Sequence, residues 1–136
     1  MNKSMMIDFA ILCLRVGLGV IFTAHGMQKL FGAFGGSGVS GFADSLKGMG
    51  FTPALFWAWV AALAEGLGGL FLLLGITPRI SAGLIAIIML VAIVKVHGPK
   101  GFFSMQGGCE YQFLILMTSV AIIIAGAGRF SVWNKF

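Results

Sequence analysis

The chain has 136 residues, room for one domain, and its 59% hydrophobic against 10% charged residues leaves too few charges to cover a water-soluble fold. A formal charge of +5 is spread thinly, without a basic cluster, which argues against a nucleic-acid surface and for membrane-flanking charge. The long runs are continuously apolar rather than alternating, which excludes a β-barrel, and the mean hydropathy of +1.03 fits a chain that lies almost wholly in a bilayer.

The first predicted span covers about residues 8–28. A single Lys ahead of an apolar run resembles a signal peptide, but Arg15 interrupts that run, which continues to Thr23, so an uncleaved span is expected. A glycine-rich stretch from Gly32 to Gly41 follows. Within the same loop Val39, Phe42, Ala43, Leu46 and Met49 recur at helical spacing, with Asp44 and Lys47 opposite. That pattern predicts a short interfacial amphipathic helix over about 39–49.

Thr52-Pro53 opens the second span, about 53–74, as a capping residue followed by proline in the first turn. Gly75 stops it. Thr77-Pro78 repeats the start signal for a third span, about 79–96, which Gly98-Pro99 ends. The loop from Gly98 to Cys109 carries Phe102, Phe103 and Met105, apolar enough to dip into the interface, and a fourth span covers about 110–127. Trp57, Trp59 and Trp133 stand near span ends as interfacial anchors.

The fold class expected is therefore all-α: one membrane domain over 1–136, a four-helix transmembrane bundle of antiparallel up-down topology with a short interfacial helix between spans 1 and 2. Both termini then share one face (A) with the tight turn after span 2, and the two longer loops lie on the other (B). Face A carries Lys3, Arg79, Arg129 and Lys135, while face B carries Lys29, Lys47, Lys95 and Lys100. The positive charges tie, unless Lys29 and Lys95 belong inside the bundle, in which case the termini are cytoplasmic. Cys13, in a span, and Cys109, in a face B loop, are too far apart for a disulfide. Arg15-Val-Gly-Leu-Gly-Val-Ile and Arg79-Ile-Ser-Ala-Gly-Leu-Ile echo one another, as do His25-Gly and His97-Gly, a similarity that chance among Gly-rich apolar helices explains.

Ionisable residues inside a bilayer face a bundle interior or cavity. On span 1, Arg15, Leu18, Phe22, His25 and Lys29 fall in an arc of about 80° at ~100° per residue. Glu65 lies about 18 Å from the Pro53 end of span 2 and Arg15 about 21 Å from the Lys29 end of span 1. If those ends are level, the two charges share a depth, and an Arg15–Glu65 ion pair is expected, as part of the site or as a device that sets helix register. The small residues of Glu65-Gly-Leu-Gly-Gly let the two helices approach closely.

Toward face B the other polar groups converge by depth: His25, Lys29, Lys95, His97 and Glu110, with Gln28, Gln106 and Cys109 nearby. The candidate site is thus a polar pocket of Arg15, His25, Lys29, Glu65, Lys95, His97 and Glu110, open to face B. Competing roles are interfacial snorkelling for Lys29 and Lys95, a helix start for Glu110, and an ordinary loop thiol for Cys109. His25 and His97 at matched depth are compatible with axial haem ligation, the less favoured reading without a defined pocket. No metal site is expected.

The stretch Arg15-Val-Gly-Leu-Gly-Val-Ile-Phe-Thr-Ala-His25-Gly-Met-Gln-Lys29-Leu-Phe-Gly resembles the opening of DoxX-family membrane proteins. The glycine-rich loop, Phe42-Ala43, Glu65-Gly-Leu-Gly-Gly and Leu-Gly-Ile-Thr-Pro-Arg79 extend the resemblance over essentially the whole chain. It implies a four-helix prokaryotic inner-membrane protein, with relatives tied to a terminal quinol oxidase and a thiosulfate:quinone oxidoreductase, and it carries over best at Arg15, His25, Lys29 and Glu65. A quinone-linked redox subunit is then expected, with His25, Lys29 and His97 donating to the quinone oxygens and Glu65 and Glu110 relaying protons. No flavin, nicotinamide, iron–sulfur or copper motif is recognisable, so electrons are expected from a partner redox protein. The alternatives are a non-enzymatic scaffold that recruits an oxidoreductase through its face B loops and, weaker, a small transporter or proton conduit. A homo-oligomer is compatible with either.

Overall fold

The computed structural model describes residues 1–133, so Lys135 of the face A charge set lies outside the described residues. The described chain is all-α, with five helices: α1 (Lys3–Phe31), α2 (Gly38–Gly48), α3 (Ala54–Leu74), α4 (Pro78–Ala92) and α5 (Glu110–Ala125). The Asn2 side chain caps α1 by accepting from the Met5 amide, so the helix begins before the expected 8–28 span and runs past it to Gly32. Gly75, in the left-handed region at φ 70°, closes α3. Pro78 starts α4 in its first turn.

At its far end α4 continues as a π turn, Ile93–His97, and a 3₁₀ turn, Gly98–Lys100. Pro99 has no N–H and its ring would meet the carbonyl four residues back, so the regular ladder cannot continue. The Gly98 amide instead donates to the Ile93 carbonyl, five residues back. That wider turn leaves His97 at the bundle edge.

Three helical segments, Lys3–Phe31, Ala54–Leu74 and Pro78–Lys100, are long and apolar enough to cross a membrane, while α5 is apolar but shorter. Their shared core is thin, built on Leu18, Phe22, Leu72, Ile85, Ile115 and Ile122. Large apolar side chains such as Leu55, Leu67, Ile80, Ile87 and Ile124 face outward. So much exposed apolar surface is untenable in water and natural in lipid.

The α1–α3 contact fixes the geometry of everything else. A Cβ on Gly26 would collide with the Gly66 backbone, one on Gly69 with Thr23, and one on Gly19 with Leu73. These three contacts define one antiparallel register, in which glycines let the backbones touch. In that register Glu65 is level with Met27, and Arg15 is level with the end of α3. Relative to level Lys29 and Pro53, α3 is slid along α1 by about 15 Å at ~1.5 Å per residue. The space left beyond the end of α1 is filled by α2, whose Ala43 and Leu46 are buried against Ala58, Phe51 and Ala54.

After α5 the chain folds back along the N-terminal half of α1. Val132 and Trp133 donate to the Leu74 and Gly75 carbonyls, both at 3.1 Å. Asp8 accepts from the Arg129 amide at 3.0 Å, and the Phe9 and Phe130 rings lie 4.8 Å apart.

Candidate functional site

The slide between α1 and α3 separates the two charges expected to pair. Arg15 is 1% exposed and lies at the end of α3, where its guanidinium donates to Leu72 O (3.0 Å), Leu73 O (3.3 Å), Ala127 O (2.8 Å) and Phe130 O (2.7 Å). The last carbonyls of a helix lack intrahelical donors and carry the negative end of its dipole, so they are natural partners for a buried cation. The expectation of an Arg15–Glu65 ion pair is therefore corrected. Arg15 clamps the end of α3 to the returning C-terminal segment, and depth measured from helix ends misled because the ends are not flush.

Glu65 pairs instead with Lys29. The ammonium donates to both carboxylate oxygens, at 2.6 and 2.7 Å, and sits 4.4 Å from the centroid of the Phe42 ring. The Glu65 side chain is 4% exposed and that of Lys29 22%. Each helix contributes for a local reason. Gly66 brings Glu65 against α1, Lys29 lies one turn after His25 on the same face, and α2 carries Phe42 beneath the ammonium.

This pair borders a cavity of about 430 Å³ enclosed by all five helices. Its walls are mainly apolar, among them Phe22, Leu46, Trp57, Ile88, Met89 and Ile115. Of the seven residues expected to form a polar pocket, His25, Lys29, Glu65 and His97 line it. Arg15, Lys95 and Glu110 do not: Lys95 is exposed, and the Glu110 carboxylate accepts from the Ser104 amide at 3.0 Å, closing its own loop. The His25 imidazole has no hydrogen-bond partner among the described residues and packs 6.2 Å from the Phe22 ring. His97 Nδ1 donates to the Gly107 carbonyl at 2.8 Å, which orients the ring and leaves Nε2 without a partner among the described residues.

Two polar lining residues escaped the sequence reading. Tyr111 and Gln112 enter from the first turn of α5, and the buried Gln112 Oε1 has no hydrogen-bond partner among the described residues. The signal was available: an amide inside an apolar run is as anomalous as Glu65. On the flank of the bundle the cavity is bordered by Val60 of α3 and by Leu84, Ile87 and Val91 of α4, all of them exposed apolar side chains. The chamber therefore opens sideways toward the surface that lipid covers. Among the described residues no group of three or more His, Cys, Asp or Glu is placed to hold a metal ion. Cys13 and Cys109 are both free thiols.

Comparison with known proteins places these features in a family context. The DoxX family model matches residues 10–98, which include Arg15, His25, Lys29 and Glu65. The chain is 32% identical over its whole length to "Putative oxidoreductase CatD" of Bacillus subtilis (strain 168), covering 91% of that protein. It is 25% identical to "Uncharacterized membrane protein Rv3486" of Mycobacterium tuberculosis, with 90% of this chain and 78% of that one aligned. An "Uncharacterized protein" of Haemophilus influenzae is 28% identical over 90% of this chain and 87% of its own. No solved structure matches.

Proposed function

The chain belongs to the DoxX family of membrane proteins, and on that premise we propose that it is a four-span subunit of a membrane redox system that binds a quinone in the cavity beside Lys29 and Glu65. In this reading α5, about 24 Å long at ~1.5 Å per residue, is the fourth span, antiparallel to α4. The host membrane is the inner membrane of a prokaryote. The termini lie on its cytoplasmic side, because the Lys29 charge is engaged with Glu65 inside the bundle and no longer counts toward face B.

One observation carries the proposal: a chamber with a polar end and apolar walls that opens through exposed apolar side chains at the bundle flank. Its volume of about 430 Å³ falls in the ~300–1,000 Å³ range of small-molecule sites. A quinone supplies a flat head with two carbonyl acceptors and an apolar tail. The Lys29 ammonium and His25 are placed as donors at one end. Gln112, whose side chain also lines the cavity, is a further donor through its amide N–H₂. The tail leaves between α3 and α4, along Val60, Leu84 and Ile87. Electrons come from a partner protein, and conversion of quinone to quinol consumes two of them with two protons.

The test is quinone content after purification, together with quenching of Trp57 fluorescence by decylubiquinone in a Trp59→Phe, Trp133→Phe background. His25→Ala and Glu65→Gln are expected to lower both without unfolding the bundle. Unchanged occupancy in both variants would sink the quinone reading. It would favour a scaffold whose contacts are the exposed Phe34, Phe103 and Met105, tested by loss of partner capture in loop variants.

A further inference from the structure

A second cleft meets the chamber from a different direction. It measures about 350 Å³ and is lined by His97, Ser104, Gly107, Gly108, Tyr111 and Gln112. Three of these, His97, Tyr111 and Gln112, also line the chamber, so the two spaces share one wall. The cleft lies beneath the loop that joins α4 to α5, where charge is tolerated: Lys95 and Lys100 are exposed, and the Lys100 side chain packs beside Gly107. The flank opening, by contrast, is wholly apolar. One chamber therefore has two different approaches.

We propose that this cleft is the water-side entrance to the chamber, and that the His97 and Gln112 side chains form its closure. Both are polar on a wall between a charged surface and an apolar interior, where an aliphatic pair would seal better. His97 is held in place by its Nδ1 bond to Gly107 O and has no partner on Nε2 among the described residues. Gln112 keeps an unpartnered oxygen. Buried polar atoms left unmatched are costly unless water or a solute reaches them. The charged and titratable groups nearest this wall are Lys100 beside Gly107, Glu110, whose carboxylate accepts from the Ser104 amide, Tyr111 from α5, and His25 with the Lys29–Glu65 pair across the chamber.

The passage itself does not depend on the quinone reading. Only its use does, as the side from which the two protons of quinol formation reach the chamber through His97 Nε2. The experiment therefore uses no quinone. In a Cys13→Ser, Cys109→Ser background in lipid nanodiscs, Ala64→Cys places a reporter thiol in the chamber, to be labelled with the membrane-impermeant anionic reagent 2-sulfonatoethyl methanethiosulfonate. His97→Ala or Gln112→Ala is expected to raise the labelling rate about tenfold. Ser104→Trp, which fills the cleft from its loop side and leaves His97 and Gln112 unsubstituted, is expected to lower it about fivefold. Ile87→Trp at the lipid-facing flank leaves it unchanged, and Lys100→Gln slows the anionic reagent while speeding its trimethylammonium counterpart. Slowing by Ile87→Trp and not by Ser104→Trp, or one rate in all variants, overturns the proposal. Loss of decylubiquinone quenching together with the expected labelling pattern would remove the quinone reading alone.

Discussion

Glu65→Gln tests whether the charge inside the bundle is organised as the geometry dictates. The substitution leaves the Lys29 ammonium without its carboxylate in a site where that side chain is 22% exposed. Breaking a fully buried pair costs about 3–5 kcal/mol. Partial exposure and the Phe42 ring at 4.4 Å reduce this, so a loss of about 2–3 kcal/mol is expected. Lys29→Met leaves a carboxylate that is 4% exposed without its cation, for a similar loss of about 2–3 kcal/mol. The double variant removes both charges and recovers much of this, giving a coupling of about 2 kcal/mol between Lys29 and Glu65. Arg15→Met combined with Glu65→Gln should instead be additive within about 0.5 kcal/mol, because Arg15 lies about 18 Å further along α1 than the level of Glu65. The assay is SDS-driven unfolding in mixed micelles followed by circular dichroism. A coupling above about 1 kcal/mol for Arg15 with Glu65, or none for Lys29 with Glu65, would refute the assignment.

Three more perturbations have distinct outcomes. Arg15→Met strands the carbonyls of Leu72, Leu73, Ala127 and Phe130, so a loss of about 3–5 kcal/mol is expected. Faster hydrogen exchange over 126–133 should accompany it, while Arg15→Lys, with its charge but not its fork, falls between. Gly26→Ala drives a methyl into the Gly66 backbone and should cost about 2 kcal/mol or more, whereas Gly17→Ala meets no atom within 4 Å and should be neutral or mildly stabilising in thermal unfolding. Gln112→Leu removes a buried oxygen that lacks a partner, so stability should hold or rise by up to about 1 kcal/mol while decylubiquinone affinity drops about tenfold. A destabilised Gln112→Leu protein that binds normally contradicts the role given to that amide.

Composition and punctuation were enough to identify an all-α membrane protein and to find its helices. Continuous apolar runs in a chain this poor in charge have no other outlet, and Thr77-Pro78, Gly75 and Gly98-Pro99 act through local backbone sterics that need no tertiary partner. The periodicity of Val39, Phe42, Ala43 and Leu46 likewise shows α2 directly, because an amphipathic face is a property of one helix. The same logic picked out seven ionisable residues in or beside apolar runs, of which His25, Lys29, Glu65 and His97 line the cavity and Arg15, Lys95 and Glu110 do not.

Their partners are another matter. Which charge meets which depends on how far two helices slide, and the slide was decided by where the glycines of α1 and α3 interlock, a contact between segments that no single segment encodes. A displacement of about 15 Å along the α1–α3 seam sent Arg15 to the carbonyls closing α3 and delivered Lys29 to Glu65. It also opened the corner that α2 fills with Phe42. The returning segment 126–133 became visible only then, because backbone carbonyls leave no mark in the order of residues; Gln112 was legible as an amide in an apolar run, but its place on a wall shared by two cavities was not.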